Sequence, residues 1–237
     1  MSPENLEGLL TPEQQQELAD LRTENAELKT ENTELKRENA ELEKQAELAL
    51  IDPDLEIYNK RGMMRMAELL LPRDKAMGPA EKDLAAAERP PIAVAMFDLD
   101  DFKKFNTDYG HLKADEVLKD AAAVLKEAAK VLKASVRGGD VVARFGGEEF
   151  VAIFQDTTDE AINKAFLDEE TGRLRIGFTS LINGKEVRVS FSGGVTQVKP
   201  GETFKDFKDI LERANQAMRE AKKQGKDQIV HSVDQTN

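Results

Sequence analysis

Leucines recur every seven residues in the N-terminal part of the chain, at Leu21, Leu28, Leu35 and Leu42. The residues three positions before them are one leucine and three asparagines, Leu18, Asn25, Asn32 and Asn39. This spacing predicts a coiled coil with leucine at heptad position d and mostly asparagine at position a. We therefore predict a parallel homodimeric coiled coil over residues 11–50, in which buried asparagines define the register and reduce the stability.

After the heptads, the hydrophobic residues form short runs that are typical of strands. Ile92 to Phe97 is a continuous apolar run, as expected for a strand that is buried on both faces. Two further apolar runs, Val141 to Ala143 and Val151 to Phe154, flank Gly146 and Gly147. Apolar runs joined through a Gly-Gly pair predict a β-hairpin.

The remaining pattern alternates between helical and strand periodicity. Apolar residues at helical spacing predict helices over 62–71, 115–132 and 204–223. Asn183-Gly184 predicts a second hairpin, with strands at 174–181 and 185–191. The proline-containing segment 72–91 predicts an irregular connection. This order of elements predicts an α/β (α+β) domain over 51–233, with a central mixed sheet flanked by helices.

Charge and composition narrow the classes of function. The chain of 237 residues carries 34 basic and 46 acidic residues, a net charge of -12, which argues against binding to nucleic acid. It contains no cysteine, which excludes disulfides and thiol chemistry. No run is apolar and long enough to cross a bilayer, and the N-terminus lacks the basic and apolar regions of a signal peptide. We therefore expect a cytoplasmic protein without a membrane partner.

Acidic residues stand at the ends of two predicted strands. Asp98 follows the buried strand, and Glu148 and Glu149 follow the glycines of the first hairpin. Glycines allow a large anion to approach the main chain, and hard divalent cations prefer carboxylate oxygens. If the hairpin pairs beside the buried strand, Asp98 and Glu148 can hold one Mg²⁺ between them. Taken alone, the hairpin acids are equally consistent with a solvated turn.

An ordered set of residues links these segments: Phe97 to Asp100, Lys103, Asn106, Tyr109 to His111, Asp115, and Arg144 to Phe150. This set resembles the signature of the GGDEF family, whose members are diguanylate cyclases that condense two GTP molecules into cyclic di-GMP. The resemblance covers about residues 51–231. The chain departs from the family pattern at Leu55-Glu56, where the family has Thr-Gly. It departs again at Lys226 and Asp227, where the family usually has Arg and Asn.

The resemblance implies a role for individual residues. The metal, Mg²⁺ or Mn²⁺, is expected to bind the side chains of Asp98 and Glu148 and the carbonyl of Leu99. The residues expected to contact GTP are Phe102, Lys103, Asn106, Asp115, Gly146, Gly147, Lys222 and Lys226. Among them, the lysines meet the phosphates, and Asn106 and Asp115 read the guanine edge. The expected catalytic residues are Asp98, Lys103, Glu148 and Glu149. Several roles fit Glu149, and one of them is that of a base for the attacking hydroxyl.

A further motif, Arg137-Gly138-Gly139-Asp140, stands just before the first hairpin. Its Arg-x-x-Asp spacing resembles the family's allosteric site, at which the product cyclic di-GMP inhibits the enzyme. An arginine can form forked hydrogen bonds to guanine or to phosphate, which suits this role. The alternative interpretation is a glycine-rich turn with a surface ion pair.

The resemblance also implies that each domain binds one GTP, so that the reaction requires two domains facing each other. The coiled coil would then keep the partner domain at a high local concentration. An alternative of a different class is a catalytically silent receptor that binds cyclic di-GMP at Arg137 and Asp140 and signals through its coil. The intact hairpin acids argue against it, because a silent domain needs no metal ligands. A nucleotidyl cyclase with another base preference is disfavoured by Asp115.

Overall fold

The structure, a computed structural model, describes residues 11–72, 90–132, 140–168 and 172–232. The chain divides between Leu48 and Ala49 into two compact units. Most of the irregular segment expected at 72–91 lies outside the described residues, and so does Arg137. Across the described ranges, no helix is both long enough and apolar enough to cross a membrane.

The described part of the first unit, from Thr11 onward, is one helix, α1 (Pro12–Leu48). Its start is capped by a reciprocal pair of hydrogen bonds: the Thr11 backbone N donates to Gln14 Oε1 over 2.9 Å, and the Gln14 N donates to Thr11 Oγ1 over 3.4 Å. The leucine stripe of Leu21, Leu28, Leu35 and Leu42 is 54%, 51%, 49% and 54% exposed. The helix is therefore confirmed, whereas the pairing of two such helices stays a prediction.

The second unit is built on strands, which are, in chain order, β1 (Ile51–Asp52), β2 (Ile57–Tyr58), β3 (Ile92–Leu99), β4 (Val141–Gly146), β5 (Glu149–Gln155), β6 (Leu167–Asp168), β7 (Arg173–Leu174), β8 (Gly177–Ile182), β9 (Lys185–Gln197) and β10 (Gln228–His231). In the described residues, seven of them lie side by side in the order β1-β2-β4-β5-β3-β9-β10, and β8 pairs with β9. The β2–β4 and β9–β10 pairs are parallel, and the other neighbours are antiparallel. The predicted mixed sheet is thereby confirmed.

Helices cover both faces of this sheet: α2 (Lys60–Leu70), α3 (Phe102–Tyr109), α4 (His111–Leu132), α5 (Asp159–Phe166) and α6 (Phe207–Lys223). The central strand β3 divides its side chains between two cores. Phe97 and Leu99 pack with residues of α4 and α5, whereas Val94 and Met96 pack with residues of α2 and α6. Because neighbouring side chains of a strand point to opposite faces, Asp98 points to the face covered by α2 and α6.

Helix α6 lies directly on the sheet at Gly194 of β9. A Cβ atom at this position would lie 2.1 Å from the Ala214 carbonyl oxygen and 2.2 Å from the Met218 N, so only glycine permits the approach. Gly194 stands opposite Met96 in the β3–β9 register. Lys222, one helical turn beyond Met218, therefore reaches the end of β3 where Asp98 lies.

Both predicted hairpins are present. Strands β4 and β5 pair as predicted, with Gly146 at the end of β4 and Gly147 and Glu148 in the turn. Strands β8 and β9 pair around Asn183 and Gly184, whose φ values are 52° and 75°. Two successive positive φ values are typical of a two-residue hairpin turn. The expected start of the β8 strand at residue 174 is wrong, because β8 begins at Gly177. Leu174 instead pairs with Leu167 in the short β6–β7 ladder and packs against the core.

Candidate active site

Acidic side chains converge where β3 ends beside the turn between β4 and β5. The antiparallel register places Asp98 opposite Glu149. Glu148 lies in the turn, and its carbonyl accepts a hydrogen bond from the Leu99 N over 3.3 Å. Gly147 has a φ of 45°, a left-handed conformation that glycine adopts readily. The structure thus brings Asp98 and Glu148 together, as the sequence predicts.

Asp98 is the most buried of these acids, with 8% exposure. Its Oδ1 lies 2.8 Å from Lys222 Nζ. Burial raises the pKa of Asp98; the hydrogen bond and charge of Lys222 lower it, and the charges of Glu148 and Asp100 raise it again. The resulting pKa lies above the ordinary value, so Lys222 compensates the acid only in part.

Glu149 is half-buried and lies against the other two acids. Burial raises the pKa of Glu149, and the charges of Asp98 and Glu148 raise it further, whereas Lys222 and Lys60 lower it. A carboxylate with a raised pKa is a stronger base. Glu149 therefore has the character of a group that can take up a proton from a substrate.

The acid cluster carries more negative charge than its lysines compensate, and a bound divalent cation would relieve this excess. The raised pKa values of Asp98 and Glu149 arise partly from repulsion among the acids. Across the described ranges, no three His, Cys, Asp or Glu side chains are grouped as a complete metal site. A cation here would therefore need main-chain, water or phosphate oxygens besides Asp98 and Glu148. Such a mixed set is typical of Mg²⁺, so the residues present fit the predicted cation.

The three lysines expected to bind phosphate are grouped around residues 98–103. Lys222 contacts Asp98, and Lys226 Nζ lies 2.7 Å from Asp101 Oδ1. The hydrogen bond to Asp101 raises the pKa of Lys226. Lys103 is exposed in the first turn of α3. This side of the site is therefore rich in ammonium groups, two of which already contact an acid.

Asp100, for which the sequence motifs predicted no role, is the main anchor of the site. Its carboxylate accepts hydrogen bonds from Ser190 Oγ over 2.7 Å, from Ser192 Oγ over 2.6 Å and from the Asp227 N over 2.9 Å. These bonds join the turn after β3 to β9 and to the loop that carries Lys226. One signal in the sequence pointed to Asp100. It stands two residues after Asp98, and residues two apart along an extended chain lie on the same side.

Asp227 holds the same loop through its side chain. Its carboxylate pairs with Arg175, and Arg188 Nη2 lies 3.6 Å from the same Oδ2 atom. The family that the sequence resembles usually has asparagine at this position. Asparagine is neutral and would pair less strongly with two guanidinium groups. The aspartate at 227 therefore matches the arginines that this chain places around it.

Asn106 and Asp115, which were predicted to read guanine, lie on α3 and α4. Asn106 Oδ1 is buried and accepts no hydrogen bond from the described residues. A buried acceptor without a partner is rare in folded proteins, and this one suits a ligand that donates a hydrogen bond. Asp115 is exposed near the start of α4.

Arg144 connects the acid-bearing turn to β1, a contact that the sequence analysis missed. Its Nε donates to the Gly147 carbonyl over 3.0 Å, and its Nη1 lies 3.2 Å from Asp52 Oδ2. The side chains of Arg144 and Asp52 are mostly shielded from solvent, with 24% and 12% of their surface exposed. The turn that carries Glu148 is therefore held from two sides, by β3 and by Arg144.

The predicted allosteric pair is only partly covered by the structure. Asp140 Oδ1 accepts a hydrogen bond from the Gln155 N over 3.0 Å, which fastens the start of β4 to the end of β5. Arg137 lies outside the described residues, so the inhibitory site stays a prediction.

The family model described as "Diguanylate cyclase, GGDEF domain" matches residues 73–228 of this chain. The chain belongs to the GGDEF family. Among its relatives, diguanylate cyclase DgcP of Pseudomonas aeruginosa is 33% identical over 141 residues, which are 58% of this chain and 19% of DgcP. The response regulator PleD of Caulobacter vibrioides is 30% identical over 188 residues, which are 78% of this chain and 36% of PleD. The chain thus spans about a fifth to a third of the length of these relatives.

Solved structures resemble this GGDEF domain at low sequence identity. The coiled coil and GGDEF domain of DgcB from Caulobacter crescentus, in complex with c-di-GMP, has a TM-score of 0.59 and 24% identity, and the match covers 87% of this chain and 98% of that one. The diguanylate cyclase SiaD of Pseudomonas aeruginosa, in complex with its activator SiaC, has a TM-score of 0.54 and 21% identity over 92% of this chain and 77% of SiaD. These likenesses show the fold.

Proposed function

We propose that this chain is a diguanylate cyclase, which condenses two GTP molecules into cyclic di-GMP and releases two pyrophosphates. The proposal is carried by the convergence of Asp98, Glu148 and Glu149 beside Lys222 and Lys226. Phosphoryl transfer depends on positioning and on neutralisation of phosphate charge, and this group of acids and lysines suits both. The family match and the relatives named as diguanylate cyclases support the same conclusion.

The acids would hold the divalent cation. Asp98 and Glu148 would bind Mg²⁺ or Mn²⁺ through their carboxylates, and the Leu99 carbonyl would be a further ligand at the end of β3. When bound, the cation would supply positive charge that neutralises phosphate oxygens in the transition state. The hydrogen bond from the Leu99 N to the Glu148 carbonyl keeps the two strand ends together for this purpose.

The lysines and the main chain would bind the triphosphate. Lys103, Lys222 and Lys226 would contact the β- and γ-phosphates as point charges. The start of α3 at Phe102 presents main-chain N–H groups, and helix N-termini favour anions. Gly146 and Gly147 have no side chains, so the substrate would be able to approach the main chain of the hairpin closely. A Cβ atom at Gly147 would meet nothing within 4 Å among the described residues beyond its chain neighbours, so this space is open to the substrate.

Asn106 and Asp115 would select guanine. The buried Asn106 Oδ1 would accept a hydrogen bond from the guanine edge, and the exposed Asp115 carboxylate would accept from N1–H and the N2 amino group. Adenine carries an acceptor at N1 and no amino group at C2, so it cannot make these bonds. The substrate would therefore be GTP rather than ATP.

Glu149 would act as the base. In the bond-forming step, the 3′-oxygen of one GTP bonds to the α-phosphorus of the other, and the bond from that phosphorus to the pyrophosphate oxygen breaks. Glu149 would accept the proton of the attacking hydroxyl, a role that its raised pKa suits. Pyrophosphate leaves with the electron pair of the broken bond, and the lysines bind its charge. A second, equivalent step closes the ring.

Two chains would supply the two GTP molecules. We infer that the leucine stripe of α1, which is about half exposed in the single chain, pairs with the same stripe of a second copy. Linking the two domains raises the effective concentration of one for the other. Product would inhibit the enzyme at Arg137 and Asp140, and Asp140 is fastened to the strand pair whose other end carries Glu148.

Incubation with GTP and Mg²⁺, followed by chromatographic separation of the products, tests the proposal. Wild type and a Glu186→Gln control, which removes one charge from an exposed position in β9, should form cyclic di-GMP. The Glu148→Gln variant should form cyclic di-GMP more than about a hundredfold more slowly than wild type, because the substitution removes a metal ligand. Its melting temperature should not fall below that of wild type, because the substitution changes little volume and removes one charge from the acid cluster.

Two results would contradict these assignments, and they differ. If wild type binds cyclic di-GMP but forms none from GTP, the chain is a receptor and the cyclase proposal is wrong. If Glu148→Gln forms product at a near-normal rate, the metal-site assignment is wrong although the cyclase proposal stands.

A further inference from the structure

Lys226 is held by an acid that the proposed reaction does not use. Its Nζ lies 2.7 Å from Asp101 Oδ1, and the two side chains are 41% and 65% exposed. The same ammonium group would contact the phosphates of GTP in the proposed function. If Lys226 bonded to both groups, the Asp101 carboxylate and the phosphates would share one cation and repel each other.

The geometry points to Asp101 as a residue that lowers the affinity for GTP, because it competes with the triphosphate for Lys226. This inference rests on the proposed function and adds a residue to it. The ion pair between Lys222 and Asp98 behaves differently. Asp98 would pair with the divalent cation when substrate binds, which releases Lys222 toward the phosphates. Nothing in the proposed reaction neutralises Asp101, so its competition persists.

The loop that carries Lys226 is positioned without the Asp101 side chain. The Lys226 N donates to the Ala221 carbonyl over 3.0 Å, and the Asp227 N donates to Asp100 Oδ2 over 2.9 Å. Asp101 stands at the N-cap position of α3, but its side chain makes no capping hydrogen bond there. Removal of the Asp101 charge should therefore free the Lys226 ammonium and leave both the loop and the helix in place.

The substitution Asp101→Asn removes this charge at little structural cost. Asp101 has a φ of 57°, and asparagine is among the residues that tolerate the left-handed region best. Asp108→Asn is the matched control, because Asp108 is an exposed acid two turns further along α3 and its loss changes the net charge by the same amount. Asp101→Ser provides a second variant if the first one proves unstable, and a melting curve accompanies each protein.

Binding can be measured without turnover by titration with 3′-deoxy-GTP, which lacks the attacking hydroxyl. In Mg²⁺, Asp101→Asn should bind this probe about two- to fivefold more tightly than wild type, the range expected for an exposed ion pair. Asp108→Asn should change the dissociation constant by less. In the Lys226→Gln background, Asp101→Asn should increase the affinity for the probe no more than Asp108→Asn does. The reason is that this background lacks the ammonium group for which Asp101 and the phosphates compete.

The outcomes separate this inference from the proposed function. If wild type binds the probe but Asp101→Asn binds it no more tightly than Asp108→Asn, the inference is wrong and the proposed function stands. An equal gain with and without Lys226 would show that Asp101 acts only through general charge, which also overturns the inference. If wild type neither binds the probe nor forms cyclic di-GMP, the proposed function fails, and the inference fails with it.

Discussion

Replacement of Leu28 and Leu35 by serine should convert the chain from a dimer to a monomer at micromolar concentration. The two leucines are 51% and 49% exposed on α1, so pairing would bury about half of each residue's surface. Full burial of a leucine contributes about 1.5–3 kcal/mol, and half of this is about 1 kcal/mol. Two leucines in each of two chains contribute about 4 kcal/mol, so their loss should raise the dissociation constant about a thousandfold.

A matched control carries the same number of new serines outside the stripe. Ala26→Ser with Ala40→Ser places them at exposed positions of α1, each one residue after an asparagine of the heptad. Alanine is the better helix former, so the control carries a helix-propensity cost at least as large as that of the test variant. Sedimentation velocity over a dilution series should show a dimer for wild type and control, and a monomer for the leucine variant.

The activity of the same proteins tests whether the reaction needs two domains. The second unit has its own hydrophobic cores and should stay folded in the variant. Its activity per chain should fall and should rise steeply with protein concentration, since the domains must now meet by diffusion. A monomeric variant with full, concentration-independent activity would refute the two-domain mechanism. A variant that remains dimeric would refute the pairing of the leucines.

Three further substitutions test separate parts of the site. Arg137→Ala should remove the late slowing of progress curves and increase the cyclic di-GMP that accumulates; unchanged slowing would contradict the inhibitory site. Glu149→Gln should raise the melting temperature at pH 7, because a folded-state pKa above the ordinary 4.5 means that ionisation of this group destabilises the native state. That gain should shrink as the pH falls through the folded pKa and vanish below 4.5, and a gain that is independent of pH would refute the linkage. Asp100→Ala should lower the free energy of unfolding in urea by about 2–3 kcal/mol, because it leaves the buried Ser192 hydroxyl without its acceptor, whereas the exposed Asp54→Ala control should change little.

Most elements of the fold could be predicted because their signals are local. The apolar run that became β3, the glycine pair of the first hairpin and Asn183-Gly184 of the second each specify a strand or turn within a few residues. The error at residue 174 arises from contacts outside its own segment. Leu174 packs against the core and pairs with Leu167, and the alternation of its own segment does not reveal that contact.

The site was predicted only where a contiguous motif marked it. Asp98 and Glu148 could be recognised because Asp98 follows an apolar run and Glu148 follows a pair of glycines, each in a characteristic motif. The spacing of Asp100 from Asp98 indicated a place at the site, but its anchoring role could not be predicted, because its partners Ser190 and Ser192 are 90 and 92 residues away along the chain. Arg144 lies within the motif, yet its partner Asp52 is 92 residues away and belongs to a different element.

The sequence by itself determined which elements form and which residue types bear the chemistry, since periodicity and turn residues act over a few positions. Only the tertiary structure decided which charges meet. Lys226 contacts Asp101 across 125 residues, and Lys222 reaches Asp98 because α6 packs against the bare backbone of Gly194. The physical reason is that an ion pair depends on a distance of a few ångströms, and that distance is set by how whole elements pack.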